Sequence, residues 1–282
     1  MWVDLLGSSV RYVDAKGIRT RVIEAGDGEP LIMMHGAGGH AEAYSRNVIP
    51  LSKHFHVYAI DLAGHGFSDN HATLFGTEAT ADHLIRFMDA EGIDSAYLAG
   101  ESMGGATAVR VALDHPERVK KIVFITGAGL QMGEEADRLA APGRAAFQRL
   151  TAAASGNLTR ETVRERLAWL FVDPEVSITD ELNEVRYQIY SMRAKMPPPP
   201  RPLEATPQGL GISITPETLR RIRCPFFFLW TDHNPSMPHQ VAEMAHKEMP
   251  GSKYHLIHHA GHWPQYEQTE EFNRKVIGFL NE

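Results

Sequence analysis

The chain has 282 residues, of which 43% are hydrophobic and 22% charged, with a formal net charge of −7. That composition supports a packed core and excludes a disordered chain. An acidic balance with no block of like charges argues against nucleic acid or an anionic membrane surface as a partner, since both require basic patches.

The single cysteine, Cys224, rules out an intrachain disulfide and reads as a buried, inert thiol beside Pro225. The first residues, MWVDLLGSSV, lack the basic start and long apolar run of a signal peptide. No apolar stretch approaches the roughly 20 residues that a membrane span needs. A cytoplasmic protein that neither enters a membrane nor binds nucleic acid is therefore expected.

Val10 to Val13 and Thr20 to Glu24 alternate like an antiparallel pair joined by a turn at Ala15-Lys16-Gly17. Short apolar runs without alternation follow at 31–36, 56–66, 95–102, 121–129, 226–232 and 253–259. Such runs suit strands buried on both faces. Helical patterns at 77–91, 103–115, 238–248 and 268–281 separate them, which predicts a mostly parallel sheet covered on both sides. Residues 130–218 break the rhythm with helical patterns alone, including polar helix starts at Thr159 and Thr179 and a stiff PPPPRP connector at 197–202. The expected organisation is an α/β core formed by 1–129 and 219–282, with a helical cap inserted at 130–218.

Residues 98–105 read LAGESMGG. Glycines two before and two after Ser102, at a strand-to-helix junction, match the sharp G-x-S-x-G turn that lifts a serine hydroxyl out of a sheet. Side chains at 100 and 104 would collide with neighbouring chain, and Gly105 lets the helix pack closely. A serine hydroxyl is a weak nucleophile until a base takes its proton. His262, in AGHWPQYE at 260–267, is the expected base, because Gly261 permits a turn and Pro264 starts a helix; His255, His258 and His259 read as packing or loop residues, and His65 as shaping its own loop. Asp232 is the only carboxylate in WTDHNPSMP and is the expected partner of the imidazole. Charge developing on a substrate oxygen would meet the Met103 amide at a helix N-terminus and a second amide from HGAGG at 35–39, Ala37 or Gly38. Neither clustered Cys/His spacing nor a G-x-G-x-x-G after a strand occurs, so no metal and no organic cofactor is expected.

With HGAGG, DLAGHGFS at 61–68, GESMGG at 100–105 and GHWP at 261–264 assembled in the order Ser, acid, His, the chain resembles the α/β-hydrolase superfamily over its whole length. That resemblance implies an eight-stranded sheet. A narrower likeness is to the meta-cleavage-product hydrolases, which cut a carbon–carbon bond in ring-opened aromatic compounds. It rests on 44–66, 173–191 and 261–273. The resemblance implies that Arg186, within EVRYQIY, grips the substrate's carboxylate, that Trp263 walls the site, and that Arg46 braces the oxyanion loop. The chain departs from the pattern twice. The family's acid position falls on Asn234, which leaves Asp232 or Asn234 to orient His262, with Asp232 favoured. Glu101 precedes the nucleophile where the family has Asn, and is expected to make a hydrogen bond or salt bridge below the turn.

The expected function is hydrolysis of a 2-hydroxy-6-oxo-hexa-2,4-dienoate-type ring-fission product, a small molecule carrying a carboxylate. A carboxylesterase or lactonase using the same residues is the alternative, and a slow-turnover ligand receptor the third. Homo-oligomers are common on this fold. Met132, Phe147, Trp169 and Tyr190 are the cap residues expected to set specificity.

Overall fold

The computed structural model describes residues 1–196 and 211–282; the PPPPRP connector lies outside the described residues. Eight strands form one sheet: β1 (Ser9–Asp14), β2 (Arg19–Ala25), β3 (Pro30–Met34), β4 (His56–Ile60), β5 (Ala96–Glu101), β6 (Val119–Ile125), β7 (Phe226–Thr231) and β8 (Lys253–Ile257). Their order is β1-β2-β4-β3-β5-β6-β7-β8. Only the β1–β2 and β2–β4 pairings are antiparallel; β4 through β8 run parallel. The predicted hairpin is present, with Val13 opposite Thr20 and the turn carried by Lys16 and Gly17 at positive φ.

The helices, in chain order, are α1 (Ser45–Leu51), α2 (Gly76–Ala90), α3 (Met103–Asp114), α4 (Glu134–Gly156), α5 (Arg160–Ala168), α6 (Pro174–Ser177), α7 (Asp180–Arg193), α8 (Pro216–Arg221), α9 (His239–Lys247), α10 (Pro264–Glu267) and α11 (Thr269–Leu280). No helix among the described residues is long and apolar enough to cross a membrane. Helices α4 to α7 all fall between β6 and β7. The polar starts read from the sequence hold: Thr159 and Thr162 cap α5 reciprocally, and the Thr179 hydroxyl accepts from the Leu182 amide at the head of α7.

The sheet separates two apolar clusters. On one face Leu84, Phe87, Val109 and Val241 pack against Ile122, Phe124 and Phe228. On the other, Val48, Phe272 and Val276 pack against Val57, Val123 and Phe227, and that cluster continues into Val163, Leu167 and Leu182 of α5 and α7. The cap is thus joined to the core by shared apolar packing.

The turn after β5 is the tightest part of the frame. A Cβ at Gly100 would come within 2.2 Å of the Gly104 backbone, and one at Gly104 within 2.3 Å of the Met34 carbonyl oxygen. Gly105 faces the Phe124 ring, which a Cβ would meet at 2.8 Å. Gly104→Ala is therefore expected to cost about 1–3 kcal/mol by overpacking against backbone. A thermal melt compared with Gly156→Ala, whose added Cβ would meet nothing within 4 Å, checks it; equal melting temperatures for the two variants contradict the steric argument.

Candidate active site

Ser102 stands between β5 and α3 with φ 52° and ψ −113°, a backbone state that side-chain-bearing residues rarely adopt. Its amide donates to the Ile125 carbonyl, and its carbonyl accepts from the amides of Ala106 and Ala128. Those bonds hold the strained turn and leave the hydroxyl facing a cavity. Among the described residues that hydroxyl makes no hydrogen bond.

His262 follows β8 and is only 4% exposed. Its backbone is pinned on both sides: the amide donates to the Leu170 carbonyl at 2.6 Å, and the carbonyl accepts from the Thr126 hydroxyl. The ring lies between two side chains. Nδ1 is 2.8 Å from Asn234 Oδ1, and Nε2 is 2.9 Å from Glu101 Oε1. Asn234 Oδ1 also accepts from the Ser236 amide, an unambiguous donor, so this atom is the oxygen and Nδ1 carries a hydrogen. Ser102 and His262 line the same cavity, with Nε2 of the imidazole at ion-pair distance from Glu101 and in no hydrogen bond with the serine.

The expectation for the acid is corrected. Asp232 does not reach His262: its carboxylate accepts from the His233 and His258 rings and from the His259 amide. It closes the loops after β7 and β8, while Asn234, two residues further along a loop that turns inward, meets the imidazole. Burial alone would raise the Asp232 carboxyl, but the bonds from His233, His259 and His258 outweigh it and hold the group below its usual range. Its stabilising contribution is therefore complete above the ordinary carboxylate range and is lost only as pH falls further, through the depressed folded value. Asp232→Asn is expected to lower the melting temperature at pH 7, by a margin that shrinks only at strongly acidic pH, and to leave kcat within about twofold. A large loss of kcat would restore Asp232 to the site.

The glycine-rich loop after β3 runs beside Ser102. Among the described residues the amides of Ala37 and Met103 are used by no other group, and Ala37 and Met103 line the cavity holding the Ser102 hydroxyl. Gly38, at φ +69°, turns its carbonyl toward the cap, where it accepts from Arg186 Nη1 and Tyr190 Oη. Arg186, on α7, is 3% exposed, and its Nε and Nη2 have no partner. Neither Glu181 nor Glu184 takes it; they pair with the N-terminus and with Arg160. Trp263 is buried, with its ring 5.4 Å from the Arg186 guanidinium. Arg46 is a second correction. Its guanidinium donates to the Tyr266 carbonyl and stacks on the Tyr266 ring, so it secures the α10 turn after His262 and does not brace the oxyanion loop.

Sequence reasoning missed Arg166 on α5, which looks like one of several arginines on a polar helix. It is 6% exposed, lies over Phe147 and Trp169, and leaves Nη1 unpartnered. Burial lowers this guanidinium from its ordinary value; Tyr190 and Glu101 oppose that, while Arg186 adds to it. An arginine this basic remains a cation.

Two cavities meet at Ser102 and His262. The larger, about 610 Å³, is mostly apolar, with Leu74, Phe75, Leu130, Phe147, Trp169 and Met237 in its wall. His65 also faces it, and burial brings that imidazole down to about 4, so it is uncharged at pH 7. The smaller, about 20 Å³, is lined by Arg166, Arg186, Glu101 and Trp263. Of the four cap residues expected to set specificity, Phe147 and Trp169 line these spaces, whereas Met132 packs on the core and Tyr190 on Gly38.

Comparison with known proteins agrees with this fold. The α/β hydrolase fold family matches residues 29–269. The 2-hydroxy-6-oxo-6-(2'-aminophenyl)hexa-2,4-dienoic acid hydrolase of Metapseudomonas resinovorans is 28% identical over 96% of this chain and 90% of that protein. The 2-hydroxymuconate semialdehyde hydrolase of Pseudomonas putida is 30% identical over 96% and 94%. Among solved structures, the meta-cleavage product hydrolase CumD of Pseudomonas fluorescens IP01 superposes with a TM-score of 0.77 at 26% identity, covering 98% of both chains. Carboxylesterase CesB of Bacillus subtilis does so with 0.76 at 25%, covering 97% and 91%.

Proposed function

This chain belongs to the α/β hydrolase fold family and is a hydrolase; from that premise we propose that it cleaves a carbon–carbon bond in a 2-hydroxy-6-oxo-hexa-2,4-dienoate-type ring-fission product. The observation that carries this reading is the Arg186 guanidinium, buried in the smaller cavity beside Ser102 with two nitrogens unpartnered. A buried cation without an anionic partner is costly, and a substrate carboxylate taking two parallel hydrogen bonds from the unpartnered Nε and Nη2 would satisfy it. Relatives named as hydrolases of a 2-hydroxy-6-oxo-hexa-2,4-dienoic acid and of 2-hydroxy-6-oxo-2,4-heptadienoate support the reading.

In this reading the dienoate carboxylate sits on Arg186 and the group beyond C6 fills the apolar cavity, which puts C6 at the junction, beside Ser102. The dienol becomes a ketone, which supplies the electron sink, with His262 moving the proton. Ser102 then attacks the C6 carbonyl, or helps water to do so. The Met103 and Ala37 amides receive the charge on the C6 oxygen. On the direct route, C5–C6 cleavage leaves the acyl group on Ser102 and releases a hydroxydienoate whose C5 takes the proton from His262. Water then hydrolyses the acyl-serine to the carboxylic acid; on the water route both products form in one cleavage. Arg166, whose Nε donates to Thr151 and whose Nη1 is unpartnered, adds a second donor at the carboxylate end. Arg166→Met is expected to lower kcat/KM for a dienoate by about tenfold, one charge-assisted bond, and to leave a neutral ester unaffected.

Turnover of a panel of coloured ring-fission products, set beside simple p-nitrophenyl esters, tests the proposal. A preference for the dienoates supports it. Turnover of esters alone would favour the second reading, a carboxylesterase, to which the apolar cavity and the likeness to CesB lend support.

A further inference from the structure

Resting on the reading of Ser102 and His262 as nucleophile and base, we propose that Glu101 is the positioning residue that holds the charge of the imidazolium, doing from the nucleophile's side what an acid at position 234 would do from the other. Three observations carry this. The residue at Nδ1 is a neutral amide, Asn234, which orients the ring but brings no charge. The Asp232 carboxylate is committed to His233, His258 and His259. The carboxylate that does touch the imidazole is Glu101, 2.9 Å from Nε2 and 1% exposed.

Glu101 is built into this place. Its second oxygen accepts from the Gly36 amide at 2.6 Å, and a Cβ at Gly36 would lie 2.6 Å from that same oxygen, so only glycine leaves room for the carboxylate. Nδ1 already donates to Asn234, so a proton arriving at Nε2 makes the ring a cation, and a carboxylate oxygen 2.9 Å away is placed to offset that charge. When Ser102 forms its bond to the carbonyl carbon, the Oγ–H bond breaks and the N–H bond forms at Nε2. That N–H is then met by a fixed carboxylate one residue from the nucleophile. The proton passes on to the leaving group, and Nε2 is free again.

A residue that merely held the Gly36 loop would not respond to charge placed on the far side of the imidazole, and this separates the roles. On p-nitrophenyl acetate, Glu101→Gln is expected to lower kcat about 100-fold or more with KM unchanged, by analogy with removing charge beside a catalytic histidine. Adding Asn234→Asp to that variant is expected to recover kcat at least about tenfold, because the carboxylate returns at Nδ1. Asn234 Nδ2 has no partner, so that substitution breaks no existing bond. A smaller loss, or a smaller recovery, overturns the proposal. Ser102→Ala separates the two claims. If it retains ester turnover, the nucleophile reading fails and the proposal falls with it. If it is inactive while Glu101→Gln is not, the proposal alone falls. Should Glu101→Gln not fold, Glu101→Asp decides: a carboxylate drawn back by one methylene is expected to lower kcat with KM unchanged and Asn234→Asp to recover it, and unchanged kcat or no recovery overturns the proposal.

Discussion

Ser102→Ala is expected to lower kcat for a p-nitrophenyl ester by about 10⁴-fold or more while leaving KM and the melting temperature near those of the parent protein. The substitution removes the hydroxyl proposed to form the acyl bond but keeps the Met103 and Ala37 amides, the apolar cavity and the backbone bonds of the turn. Enzymes stripped of their nucleophile retain only what such donors and binding provide. Running the variant on a ring-fission product as well adds information. If the serine attacks C6 directly, both substrates lose activity in parallel. If it activates water, the C–C reaction loses less than the ester. Ester turnover close to the parent rate would remove Ser102 from the mechanism altogether.

Arg186→Ala is expected to lower kcat/KM about 100-fold on an acidic dienoate and to change a neutral ester little. A bond to a charged partner is worth roughly 1.5–3 kcal/mol, and tenfold corresponds to about 1.4 kcal/mol. Loss of a two-pronged grip on a carboxylate thus falls at or beyond the upper end of a single bond. The contrast between substrates is the essential part, because Arg186 also donates to the Gly38 carbonyl. A variant that disturbed the glycine loop through that lost bond would injure both reactions equally. Equal losses would therefore assign Arg186 to the loop and leave the smaller cavity without its anion.

The parts of the molecule legible in the sequence are those whose reasons are local. The bracketing of Ser102 by glycines reports backbone contacts only a few residues away, and the short unalternating apolar runs report burial on both faces. Both signals survive in one dimension. The partners of His262 were not legible in this way. Asp232 and Asn234 differ by two positions on one loop, and which of them turns inward is decided by the rings of His233 and His258 claiming the carboxylate. Glu101 looked like a support beneath the turn, which it is through Gly36; its contact with Nε2 joins residues 161 positions apart. Arg166 carried no signal at all, because a buried arginine and an exposed one are written with the same letter, and only the cap's packing over Phe147 and Trp169 tells them apart. Arg46 failed for the related reason that its reach ends on Tyr266, in a distant part of the chain.

The bond from the His262 amide to the Leu170 carbonyl ties the seat of the imidazole to the insertion that roofs it. Gly261 presses so close to the same carbonyl that no larger residue fits, since a Cβ there would come within 2.3 Å. Transplanting the insertion from another hydrolase, with the aim of changing only which molecules are accepted, would replace one anchor of the proton carrier at the same time. On the proposed reading of His262, selectivity and speed are expected to shift together, and chimeras should be judged on both.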